Sequence, residues 1–88
     1  MLIRSDFVKY GFKPREHARL SKVIVYANEG KLISNGEGGK SYYYIQLEIL
    51  RKGAQRITLY FDNCIIDSEF MWSPEELRIF LKKHNVIG

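Results

Sequence analysis

The run "SNGEGGKS" ends in Gly39-Lys40-Ser41, the last three positions of the G-x-x-x-x-G-K-[ST] signature of phosphate-binding loops. Ser34 stands where the first glycine of that signature belongs. A P-loop also needs a helix directly after it, because the helix N-terminus supplies unpaired amide donors and the positive end of the dipole. Here "YYYIQLEIL" follows, β-forming residues in strand alternation. The expectation is a hairpin loop, in which Gly and Asn supply positive φ, and not a nucleotide site.

The tyrosines after the loop are the next candidates. Tyr42 and Tyr44 lie two apart on one strand face, and Tyr60 falls on the matching face of the following strand if the two pair as a hairpin. Three phenol rings on one sheet surface, near Lys40 and Arg56, could stack bases or dock a protein. The alternative is that a helix or the N-terminal segment covers them as ordinary core.

Nucleophilic and metal chemistry is thinly provided. His17 and His84 are the only histidines and Cys64 the only thiol, with no Ser-His-Asp or Cys-His spacing. His84 reads as a helix-end residue and Cys64 as a small buried hydrophobe on the apolar side of its strand. Asp67 and Glu69 share a strand face, yet two carboxylates without further ligands read as solvated side chains that discourage edge pairing. No zinc pattern and no cofactor signature is present, and an enzyme would need a pocket joining His17, Glu48 or Asp67. The reading is a non-enzyme without metal or cofactor.

The elements that position these residues follow from period and punctuation. "SDFVKYGFKP" reads as a helix of about two turns, with Ser5 as N-cap and Gly11 as C-cap. "REHARL" reads as a loop. Leu20–Ala27 and Lys31–Ser34, around the turn "NEGK", read as a hairpin, the first strand apolar on both faces. From Ser41, Tyr43, Ile45, Leu47 and Ile49 take the core side while Tyr42, Tyr44, Gln46 and Glu48 take the other. After the turn "RKGAQ", Ile57, Leu59 and Phe61 alternate with Arg56, Thr58, Tyr60 and Asp62. In "CIIDSEFMW", Cys64, Ile66, Phe70 and Trp72 lie opposite Asp67 and Glu69. "WSPEELRIFLKKH" is a helix, with Ser73 as N-cap, Pro74 at the first position and Glu76 completing a capping box. Leu77, Phe80, Leu81 and His84 form its apolar stripe, with Ile79 on the charged side. The order α-β-β-β-β-β-α predicts an α+β domain: an antiparallel sheet of four to five strands, a short N-terminal helix and a C-terminal amphipathic helix packed on it.

Eighty-eight residues suffice for a single domain, 1–88, with one core. A lone cysteine argues for a reducing compartment, and "MLIRSDFVKYG" lacks the apolar core of a signal peptide, so the expected location is the cytoplasm, with no membrane association. The net charge of +4 is unevenly placed. Residues 1–31 hold seven basic residues (Arg4, Lys9, Lys13, Arg15, Arg19, Lys22, Lys31) against three acidic ones, whereas 64–88 nets −1. Such a basic third attracts phosphate or an acidic protein surface.

The short helix ending in "YGF" (Tyr10-Gly11-Phe12), the strand "YYYIQLEI", the hairpin to "ITLYF" and the terminal "SPEELRIFLKKH" together resemble small uncharacterised α+β proteins of bacteriophage and mobile-element genomes. The resemblance implies an accessory factor that binds a macromolecule, and it supplies no site residues. The leading expectation is therefore a protein partner, modulated or inhibited through Tyr42, Tyr44 and Tyr60 and the basic residues Lys9, Lys13, Arg15, Arg19 and Lys22. The alternative is nucleic acid, with those basic residues on phosphates and the tyrosines stacking on bases. A homodimer through Ile79, Val86 and Ile87 stays open on the same reasoning about exposed apolar groups.

Overall fold

Strand alternation in the middle of the chain builds the sheet, and two helices cover one side of it. The computed structural model describes residues 1–15, 23–34 and 40–87. In chain order the elements are α1 (Arg4–Val8), β1 (Lys13–Pro14), β2 (Val23–Ser34), β3 (Lys40–Ile49), β4 (Gln55–Phe61), β5 (Cys64–Phe70) and α2 (Pro74–Lys83). The strands form one antiparallel sheet in the order β1-β2-β3-β4-β5, so the expected α+β fold is the one observed.

Five strands form, though not the five anticipated. The segments read as a hairpin around "NEGK" are one strand, β2, whose pairing with β3 shifts between Asn28↔Tyr43 and Ile33↔Ser41. The extra residues are absorbed as an irregularity and not as a turn. Asn28, which reads as a turn former, is buried and donates its amide to the Tyr10 carbonyl at 3.0 Å, tying β2 to the end of α1. Gly11 lies against it with φ +89°, where a Cβ would stand 3.1 Å from Asn28 Oδ1. The missing strand is supplied by β1, from a segment without strand period. The glycine-rich run 35–39, the "REHARL" loop beyond Arg15, His17 and the start of the Leu20–Ala27 strand lie outside the described residues.

The core is built from the side that the alternation assigned to it. Register rows align Tyr26, Ile45 and Leu59, then Ile24, Leu47 and Ile57. On these pack Leu2, Phe7, Phe12, Met71, Leu77, Phe80, Leu81 and Val86. Both helices therefore lie on one face. Phe7 stacks on Tyr26 with centroids 4.3 Å apart and planes 15° apart. Helix α1 starts two residues earlier than its sequence suggests, with Ile3 and not Ser5 at the N-cap, because the Asp6 carboxylate accepts the Ile3 N–H at 2.8 Å; it ends at Val8, with Lys9 and not Gly11 as C-cap. Helix α2 is capped as read, with Glu76 N–H donating to Ser73 Oγ at 3.3 Å and Glu76 Oε1 accepting from Ser73 N–H at 3.1 Å and Trp72 N–H at 3.2 Å. Val86 and Ile87 are not surface groups: Val86 is fully buried and Ile87 packs on the core, leaving only Ile79 of the three exposed.

Candidate functional site

The sheet face opposite the helices carries Tyr42, Tyr44 and Tyr60, all half-buried. Register places Lys13, Ala27, Tyr44, Tyr60 and Ile65 in one row across all five strands. The next rows are Val25, Gln46, Thr58, Ser68, and then Val23, Glu48, Arg56, Phe70. Among the described residues no helix lies over this face.

Arg15 organises it. The residue follows β1 and is pinned by its N–H donating to the Val25 carbonyl at 2.8 Å. Its guanidinium lies over the Tyr42 ring at 5.5 Å and the Tyr44 ring at 5.8 Å and donates to the Tyr42 hydroxyl. The two rings are themselves 4.8 Å apart at 39°. Cation over aromatic face is a favourable, directional contact, and it orders a long side chain that would otherwise be mobile. The hydrogen bond with Tyr42, ahead of burial, raises the Tyr44 phenol above its ordinary value of 10.0. Tyr60 donates to Gln46 Oε1 at 3.0 Å. With Val25 and Asn63 these side chains line an open depression of about 400 Å³.

Charge on this face is partly cancelled within it. Arg56 reaches both carboxylate oxygens of Glu48, each at 3.0 Å, and lies 5.9 Å from the Phe70 ring. Of the basic residues expected to act with the tyrosines, Lys13 and Arg15 share their face. Lys9 does not: it lies over the Tyr10 ring at 5.1 Å and acts electrostatically on Glu75 of α2, on the helical side. Arg19 and Lys22 lie outside the described residues. Gln46 and Asn63 are lining residues that the sequence did not single out. Gln46 sits on the tyrosine side of the alternation, so counting the β3–β4 register would have found it, whereas Asn63 stands in a turn that no period describes.

A second polar cluster joins β5 to the end of α2. His84 Nε2 is 2.8 Å from Asp67 Oδ2, and Lys83 Nζ is 3.3 Å from the same oxygen and 3.5 Å from Glu69 Oε1. Asp67 and Glu69 are thus not simply solvated, because register puts them on the helical side of β5, opposite Leu59 and Ile57. The hydrogen bond from His84, then that from the Ser68 N–H, lowers the Asp67 carboxyl below its ordinary 3.8. The His84 ring packs edge-on against Phe80 at 5.1 Å. Cys64 is exposed, contrary to the buried position expected, because it begins β5, an outer strand with a neighbour on one side only. Among the described residues no group of three His, Cys, Asp or Glu side chains could hold a metal ion, and no helix is long and apolar enough to cross a membrane.

Comparisons with protein-family models, curated proteins and solved structures return no match.

Proposed function

We propose that this chain is a small non-enzymatic accessory protein that binds and modulates a partner protein through its tyrosine face. The observation that carries the reading is the ordered set Arg15, Tyr42, Tyr44 and Tyr60 around an open depression on a face over which no helix lies among the described residues. Tyrosine supplies large contact area with few torsions to freeze, the Arg15 guanidinium is already ordered over the rings, and both residue types are enriched among those responsible for interface energy. Ile65 and Phe70 extend the same face with exposed apolar surface, which suits protein better than nucleic acid. The accessory role implied by the resemblance to phage and mobile-element proteins belongs to this proposal.

A second reading has one observation in its favour: Lys13 and Arg15 share the face of the adjacent, tilted Tyr42 and Tyr44 rings, an arrangement suited to single-stranded nucleic acid. One experiment separates the two. Protein captured from host lysate should be lost with Tyr44→Ala and retained with Lys82→Ala, at a salt concentration that abolishes oligonucleotide binding. Binding only to oligonucleotides, with affinity falling steeply in salt, selects the second reading. Capture unaffected by Tyr44→Ala removes the face from consideration.

A further inference from the structure

Among the described residues the large apolar side chains left exposed fall in two groups: Met1, Ile3 and Val8 around α1, and Ile65, Ile66, Phe70, Trp72 and Ile79 along β5 and α2. Beside the first group opens a groove of about 410 Å³, whose lining includes Ile3, Tyr26, Ile24, Leu47 and Ile49. Arg4 is the one charged residue among the described residues lining it. Beside the second group the surface carries protruding aromatics, Phe70 at 62% and Trp72 at 52% exposure. Phe70 borders a smaller cleft with Glu69, Glu76 and Lys83. Lys83 is shared between Asp67 and Glu69, and Arg56, 5.9 Å from the Phe70 ring, is engaged by Glu48, so carboxylates are in excess at this margin.

Groove and aromatics open at the same end of the sheet. Gln55 lines the groove, and its carbonyl accepts the N–H of Met71, the residue before Trp72, at 3.0 Å. We propose that a second copy of this chain seats its Phe70–Trp72 margin in the groove beside α1, reciprocally about a two-fold axis, with Arg4 of each copy facing Glu69 and Glu76 of the other. Apolar knob meets apolar groove, and the rims carry opposite charge. A two-fold exchange satisfies both contacts at once and closes the assembly as a dimer. Direct pairing of β5 with β5 is the competing geometry, and it is disfavoured twice. It brings the Asp67 and Glu69 carboxylates of both copies to one seam, and the Ser68 N–H at the strand edge already donates to Asp67 Oδ1 at 2.8 Å. Phe70 borders the tyrosine face, whereas the groove lies on the opposite, helical side of the sheet, and the proposal does not depend on what the tyrosine face binds.

Trp72 is the only tryptophan, so its emission reports this contact alone. Sedimentation velocity on the full chain should show a species of twice 10.3 kDa growing with concentration, accompanied by a blue shift of the Trp72 emission. Arg4→Glu and Phe70→Ser should each weaken association about tenfold or more. Mixing the two variants should restore a heterodimer through the one contact in which both surfaces are intact. Trp72→Ala provides a second knob variant should Phe70→Ser lose its fold by circular dichroism. A monomer throughout the accessible concentration range overturns the proposal. So does a dimer whose Trp72 emission does not move, or one that survives all three substitutions.

Discussion

β4 and β5 are adjacent strands of seven residues each with comparable alternation, yet their side chains meet opposite fates. Ile57 and Leu59 of β4 are completely buried, while β5 exposes every residue except the half-buried Asp67. Both strands offer their helical side the positions the ladder dictates, and Ile57 and Leu59 sit directly opposite Glu69 and Asp67. The difference is coverage. β4 has strands on both sides and Leu77, Phe80 and Leu81 packed in the same core. β5 has one neighbour, so carboxylates can occupy its helical side while keeping access to water and to the basic end of α2. A shift of register between Leu59 and Tyr60 completes the separation, placing Ile65 on the tyrosine face. Alternation says which residues share a side, and the neighbours of the strand decide whether that side is covered.

The largest test of this contrast is truncation in each strand. Leu59→Ala should cost about 3 kcal/mol, as a filled core site becomes a cavity, whereas Ile66→Ala should stay within about 0.5 kcal/mol. Urea unfolding of the two variants reads the difference directly, and equal losses would mean that β5 is covered after all. The next effect is polar. The Gln55 side chain accepts from Leu2 N–H at 2.8 Å and donates to the Leu2 carbonyl at 3.1 Å, both within the buried interior. Gln55→Ala should therefore cost about 1–3 kcal/mol, because two buried backbone groups lose their partners. On β5, Ser68→Ala removes only the 3.0 Å contact with Thr58 Oγ1 and should cost less than about 1 kcal/mol.

The smallest effect is one of pH. A carboxyl whose folded value lies below its ordinary 3.8 stabilises the fold above that pH and loses the contribution as pH falls through the folded value. Asp67→Asn should thus be less stable than wild type near neutrality, and the gap should close below pH 3.8. A gap that persists undiminished through acid unfolding would assign the loss to packing.

Much of the fold was legible because β3, β4 and α2 each carry a strong local signal: clean alternation in the strands, and the Ser73–Glu76 capping box with the Leu77, Phe80, Leu81 stripe in the helix. The errors arose where local chemistry was put to non-local use. Asn28 looks like a turn residue, but its amide serves α1. β1 is two residues long, too short to show a period. Val86 follows Asn85, which at φ +58° ends the helix, and the chain turns Val86 back into the core, where its N–H donates to the Leu81 carbonyl at 2.9 Å. The tyrosine side was readable from alternation and register. The placement of Arg15 over it, and of Lys9 on the other side, depends on the path between α1 and β2, which no period encodes.

Every strand in this sheet pairs with its neighbour in sequence, so the sheet can zip from one hairpin to the next through short loop closures. The Leu2–Gln55 clasp is of another kind, joining residues 53 positions apart. Loop-closure entropy makes it a latch expected to fasten after the sheet. In kinetic terms it belongs to the barrier against opening more than to the barrier against folding, and loosening it shortens the lifetime of the native state before it slows the approach to it.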